Sequence, residues 1–186
     1  MDYRENIKKY LDLETEVIKS LDVDSINQVM NEIKASQERG STIYICGNGG
    51  SHSTASHYCC DFNKGVSGEQ EKNTNFICLA DNVPTMMAIA NDISYDDIFS
   101  YQLKNRLKPG DIVFVISGSG NSKNIVKAME IAKEKGNKII GLCGYNGGKV
   151  KEMSDVCVHV KIDNMQITED IHMILDHCMM FILCGA

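Results

Sequence analysis

Five short runs rich in Ile and Val recur along the chain, with helical patterns between them. They are Thr42–Cys46, Asn75–Leu79, Ile112–Ser117, Lys138–Leu142 and Val156–Val160. Runs of this kind carry apolar residues on both faces, so both faces must be covered. Strands that alternate with helices imply a parallel sheet with helices packed on its two sides. The spacing predicts helices over 51–62, 84–106 (interrupted near Asn91–Ser94), 122–135, 147–153 and 166–184. Lys108-Pro109-Gly110-Asp111 reads as the turn into the third strand, and Gly136 stops a helix just before the fourth. Gly65–Thr74 is polar and reads as a loop. Before the first strand, Ile7, Tyr10, Leu11, Val17, Ile18 and Leu21 mark an amphipathic helix over 3–21. Asp24 or Ser25 is placed to cap a second, whose stripe is Ile26, Val29, Met30 and Ile33. The expected architecture is one α/β domain over residues 1–186. It is a doubly wound five-stranded parallel sheet flanked by helices, with two N-terminal helices (1–38) packed on it.

Composition narrows the classes of function. With 186 residues, 43% of them hydrophobic, and only 15 Gly and 2 Pro, the chain can bury a sizeable core and is neither collagen-like nor low-complexity. A net charge of -6 gives no basic footprint, so no nucleic-acid partner is expected. No apolar run reaches the roughly 18 residues that span a bilayer, and MDYRENIKKY has no signal-peptide apolar region. The expectation is a cytoplasmic protein with no membrane partner. The eight cysteines include no CxxC pair and no zinc-site spacing, and read as reduced, small buried hydrophobes.

In doubly wound sheets ligands bind beyond the carboxyl ends of the strands. Two such ends are rich in Gly, Ser and Asn. The first strand runs into Gly47-Asn48-Gly49-Gly50-Ser51, and the third into Ser117-Gly118-Ser119-Gly120-Asn121-Ser122. Glycines admit close backbone approach, helix N-termini offer unpaired N–H groups, and serine hydroxyls donate without positive charge. Either loop alone would also serve as a tight turn; together they favour an anion site. Neither is a dinucleotide fingerprint or a P-loop, because GxGxxG does not follow the first strand and no GKS or GKT occurs. Serines in place of Lys or Arg suit one sugar phosphate better than a triphosphate with magnesium.

On the helix after the first loop, His57 and Asp61 lie four apart and share a face, about 130° from the stripe Ala55, Tyr58, Cys59, Phe62. Such a pair can ligate one metal or form a solvated polar face. The last helix is apolar nearly all round, as befits a core or subunit-interface helix. Its polar members Glu169, Asp170, His172, Asp176 and His177 would be costly to bury unless paired or metal-bound.

The segments ICGNGGSHSTASHYCCDF, AIANDISYDDIFS, VISGSGNSKN and EDIHMILDH, in this order, resemble the sugar isomerase (SIS) domain and, within it, the phosphoheptose isomerase family. The likeness runs over nearly the whole chain. It implies a ketose–aldose isomerase that converts sedoheptulose 7-phosphate to D-glycero-D-manno-heptose 7-phosphate, acting as a homotetramer with shared active sites. By position it implies substrate contacts at Asn48, Gly49, Gly50 and Ser51, at Asn91 and Asp92, at Ser117, Gly118, Ser119 and Ser122, and at Glu169. It also implies zinc or another divalent metal on His57, Asp61, Glu169 and His177, with Asp61 and His177 as the catalytic groups. Two of these depart from the family pattern: Asp61 stands where the family has Glu, and Glu169 where it has Gln. Helix geometry adds an expectation that Asp170, about 20° from His177 on the wheel, orients the His177 imidazole. The competing reading is a non-catalytic SIS module that binds a phosphosugar to regulate, or that associates with a replication initiator. Such a module would not need the acid–base and metal residues.

Overall fold

The computed structural model describes residues 1–68 and 71–185. Five strands, β1 (Ile43–Cys46), β2 (Phe76–Cys78), β3 (Ile112–Ser117), β4 (Lys138–Cys143) and β5 (Val156–His159), form one parallel sheet in the order β2-β1-β3-β4-β5. Ile43 sits in register with Phe76 on one side and Ile112 on the other, and Ile112 with Lys138. Every residue of the central strand β3 is buried, which is why its run is apolar without alternation. Each predicted strand is present, with its ends as expected or shifted by one residue.

The helices are α1 (Arg4–Lys19), α2 (Val23–Arg39), α3 (Gly50–Cys60), α4 (Val83–Asp92), α5 (Ser100–Arg106), α6 (Lys123–Glu134), α7 (Gly148–Met153) and α8 (Met165–Leu183). The predicted 84–106 helix is two helices, with the short turn Tyr95–Asp97 between them. The cap of α2 differs from the expectation. The Asp22 carboxylate, not Asp24 or Ser25, accepts the Asp24 and Ser25 N–H groups, because the helix starts at Val23. Of the predicted loop 65–74, Gly65 and Val66 still belong to a wide helical turn, Asp61–Val66, that continues α3; residues 69 and 70 lie outside the described residues.

The stripe of α1 is mostly not covered. Val17 is its one buried residue, while Tyr3 before the helix and Ile7, Leu11 and Ile18 along it stay exposed. Helix α2 buries Val29 and Ile33. Helix α8 buries the stripe Ile167, Ile171, Leu175 and Met179 but leaves Phe181 and Ile182 exposed. The eight cysteines are free thiols. Among the described residues, no helix is long and apolar enough to cross a membrane.

The strand order places a topological switch between β1 and β3. The chain leaves β1 toward β2 on one side and returns to β3 on the other, so the loops after these strands diverge and leave a crevice.

Candidate functional site

The crevice is lined by the residues the two loops supply. A cleft of about 170 Å³ is bounded by Asn48 and Ser51 from the first loop, Ser117, Gly118, Ser119 and Ser122 from the second, and Met165 and Glu169 from α8. The two helices that start here, α3 and α6, carry no side-chain cap, whereas α2, α4 and α8 are capped by Asp22, Asn82 and Asn164. In their first turns the His52 N–H donates to Gly49 O (3.1 Å) and the Ile125 N–H to Asn124 Oδ1 (2.9 Å), so the N–H groups left for an anion are those of Gly50 and Ser51 in α3 and of Lys123 and Asn124 in α6. The Ser122 side chain, at the α6 cap position, lies 3.5 Å from Ser117 Oγ instead of folding onto its own helix.

The second loop is braced from below. Gly144 N–H donates to Gly118 O (2.8 Å), and Val150 N–H to Gly120 O (3.0 Å). Gly120 has φ +67°, and a Cβ there would lie 2.7 Å from the Gly147 carbonyl carbon, so this position admits only glycine. The first loop is fixed sideways. Asn48 and Asn124 exchange amide hydrogen bonds of 2.9 Å each way, and Tyr95 Oη donates to Asn48 Oδ1 (3.1 Å). Neither Asn124 nor Tyr95 stands out in the sequence, because neither is placed in the Gly/Ser loops.

Farther along α3 a second constellation forms. His57 and Asp61 meet Asp176 and His177 of α8, each offering one ligand atom, with these atoms all within 4.8 Å of one another. His57 Nε2 and His177 Nε2 are 3.1 Å apart, and His57 Nε2 lies 3.5 Å from Asp61 Oδ2 and 3.8 Å from Asp176 Oδ2. The wide turn begins at Asp61, where α3 loosens its winding; such turns are frequent at functional sites. The two distant helices thus bring two imidazoles and two carboxylates together. That donor set suits zinc or another divalent ion. The physical oddity of the group is Asp176: its side chain is fully buried and neither oxygen has a hydrogen-bond partner among the described residues. Burial, then the charge of Asp61, pushes its carboxyl up to about 7.

The group is not the set the sequence implied, since Asp176 stands in it and Glu169 does not. Glu169 lies in the serine-lined cleft, where a Cβ on Gly50 would be 2.6 Å from its carboxylate carbon. The one available signal for Asp176 was a carboxylate within the apolar stripe of α8. Asp170 does not reach His177: its carboxylate accepts from the Tyr10 hydroxyl of α1. Asn91 and Asp92 are exposed at the end of α4, where Asn91 Nδ2 donates to Asp92 Oδ1 (2.8 Å); they border neither this cleft nor the neighbouring apolar cavity. That cavity, about 190 Å³, shares Asn48 and Gly49 and adds His52, Met86, Met87 and Phe99. His52, Cys78 and Asp81 form a second close group beside it, with His52 Nδ1 3.6 Å from Cys78 Sγ. Burial raises the Cys78 thiol to about 12. His172 is a neutral core histidine: burial lowers it to about 4.

Fold and site define a class, a doubly wound α/β domain with a serine-lined cleft at its switch point. The family model for the SIS domain matches residues 2–144. The chain is 35% identical over 161 residues to the phosphoheptose isomerase of Rhodospirillum rubrum, covering 87% of this chain and 83% of that one. It is 34% identical over 184 residues to the phosphoheptose isomerase of Helicobacter pylori strain P12, covering 99% and 89%. The structure of a phosphoheptose isomerase from Francisella tularensis superposes over all of both chains with a TM-score of 0.89 at 28% identity. The chain belongs to the SIS domain family and, within it, to the phosphoheptose isomerase family.

Proposed function

We propose that the protein isomerises a ketose phosphate to the aldose phosphate, with sedoheptulose 7-phosphate as substrate and D-glycero-D-manno-heptose 7-phosphate as product. The observation that carries this reading is the pairing of an uncapped, serine-lined cleft with a two-histidine, two-carboxylate group on the same pair of helices. A regulatory module that only binds a phosphosugar has use for the first and none for the second.

In this reading Ser51, Ser117, Ser119 and Ser122 and the N–H groups of Gly50, Ser51, Lys123 and Asn124 at the starts of α3 and α6 hold the phosphate and so fix the carbon chain. One protein group takes the proton from carbon 1, beside the carbonyl at carbon 2, leaving an enediol. A proton is returned to carbon 2, while the proton on oxygen 1 moves to oxygen 2; no external oxidant or reductant takes part. Asp61 and His177 are the carboxylate and imidazole suited to these transfers, and their proximity to His57 is consistent with that use. A divalent ion held by His57, Asp61 and His177 would polarise the carbonyl oxygen and offset the negative charge that develops there. The exposed apolar residues of α1 and α8, among them Ile7, Leu11, Ile18, Phe181 and Ile182, support assembly as a homotetramer. Free cysteine thiols are in keeping with a cytoplasmic location.

The test is an assay of purified protein on sedoheptulose 7-phosphate, after chelation and after added zinc, with light scattering for the tetramer. Turnover lost on chelation and restored by metal is expected. Ser119→Ala should weaken substrate binding by about 1–3 kcal/mol. Phosphosugar binding without turnover in any metal would replace the enzyme by the regulatory module.

A further inference from the structure

Strand β2 ends in a tight turn that carries two donors of different chemistry. The Asp81 N–H donates to the Cys78 carbonyl oxygen (3.4 Å), so two side chains three residues apart flank one turn. The Leu79 N–H donates to Ile45 O of β1 (2.9 Å), which anchors this turn on the sheet. The first turn of α3 supplies a third donor, His52, whose own N–H is held by Gly49 O (3.1 Å). His52 Nδ1, Cys78 Sγ and an Asp81 carboxylate oxygen all lie within 4.8 Å of one another. None of the three belongs to the group of His57, Asp61, Asp176 and His177, and none lines the serine-lined cleft.

We infer that His52, Cys78 and Asp81 form a second metal site, for a thiophilic divalent ion of the zinc class, which ties the end of β2 to the first turn of α3. Zinc bonds of about 2.0 Å to nitrogen and 2.3 Å to sulfur, at the tetrahedral angle, set the two ligand atoms about 3.5 Å apart. His52 Nδ1 and Cys78 Sγ are 3.6 Å apart, so an ion fits between them without a shift of either backbone. The charges also match. A thiolate and a carboxylate balance a divalent cation, and the imidazole is a neutral donor through Nδ1 when its proton sits on Nε2. Binding replaces the Cys78 thiol proton, which leaves to solvent. Cys78 is buried, His52 half-buried and Asp81 exposed, so the ion enters from the Asp81 side and a water takes its fourth position. A cysteine that served only as a small buried hydrophobe would account for the burial of Cys78. It would not account for an imidazole nitrogen and a carboxylate standing against its sulfur. His52 also lines the apolar cavity that includes Asn48 and Gly49, so an ion here would stiffen one wall of that cavity.

This inference is independent of the isomerase reading, and its test reads sulfur ligation directly. Wild type, Cys78→Ser and Asp81→Asn are freed of metal, kept reduced with a phosphine and titrated with cobalt(II). A thiolate bound to cobalt(II) gives a near-ultraviolet charge-transfer band that imidazole and carboxylate ligands do not give. The band therefore reports this site and is silent on the group around His57. Wild type should develop the band, and added zinc should bleach it. Cys78→Ser should lose it. Asp81→Asn changes an exposed side chain and should raise the cobalt(II) concentration at half-saturation of the band by about tenfold or more. Wild type without the band overturns the inference, as does a band that zinc leaves in place. A band that survives in Cys78→Ser also overturns it, since another of the eight thiols would then be the ligand. Should Cys78→Ser fold poorly, Asp81→Asn decides, because an unchanged midpoint there would remove the carboxylate from the site.

Discussion

Gly50→Ala separates stability from function in a way that follows from one distance. A Cβ at Gly50 would lie 2.6 Å from the Glu169 carboxylate carbon and 2.7 Å from its Oε1, so the carboxylate must withdraw by about 1 Å to reach ordinary contact. The obstructed group is the end of a flexible side chain, so the backbone of α3 need not move. The displaced Glu169 pays about 0.5–1.5 kcal/mol for leaving its preferred rotamer. Replacing glycine in a helix returns about 0.4–1 kcal/mol, chiefly by restricting the unfolded chain. The two nearly cancel, and the melting temperature should stay within about 4 °C of wild type for a chain of this size. Function should not cancel, since a misplacement of about 1 Å in a group that positions substrate costs on the order of a hundredfold in rate. Differential scanning calorimetry and steady-state kinetics on the sugar phosphate read the two quantities separately. In a Glu169→Ala background, adding Gly50→Ala should cost nothing further in rate, because the carboxylate it displaces is gone. Wild-type turnover in Gly50→Ala would refute the reasoning, as would a fall of more than about 8 °C, which would mean that the backbone and not the side chain had yielded.

Two further outcomes are expected. Tyr58 is wholly buried among Phe62, Phe76 and Phe114 and its hydroxyl has no hydrogen-bond partner among the described residues, so Tyr58→Phe should leave stability unchanged or raise it by up to about 1 kcal/mol in urea denaturation; a loss of more than about 1 kcal/mol would reveal a bound water or other partner for the hydroxyl. His172, at about 4 when folded against 6.5 unfolded, resists protonation, so its stabilising contribution is present above pH 6.5 and is lost as pH falls toward 4, by about 2 kcal/mol at pH 5. Asp176 works in the opposite direction. Its raised carboxyl favours the folded state at low pH and loses that contribution as pH rises from 3.8 to about 7. The His172 contribution is therefore read as the difference between metal-free wild type and His172→Leu at pH 8 and pH 5, and an unchanged difference would show that His172 is not held neutral.

The five Ile/Val runs, their alternation with helical stripes and the two Gly/Ser loops were enough to determine the sheet, its helical cover and the place of the serine-lined cleft. These features are local or periodic, and each follows from steric and solvation rules that act within one turn or one strand. His57 and Asp61 could be paired from sequence for the same reason, as they are one helical turn apart. Which residues of α8 would face them could not, because the wheel gives direction around a helix but not its height against a neighbour. The axial alignment of α8 on α3 is set by the direct packing of the two helices on one another, and it places Asp176 beside His57, Glu169 beside Gly50 and Asp170 under Tyr10. Tertiary structure alone decided which of three carboxylates on one helix stands in the donor group, because the choice depends on about 10 Å of translation between two helices more than a hundred residues apart in the chain.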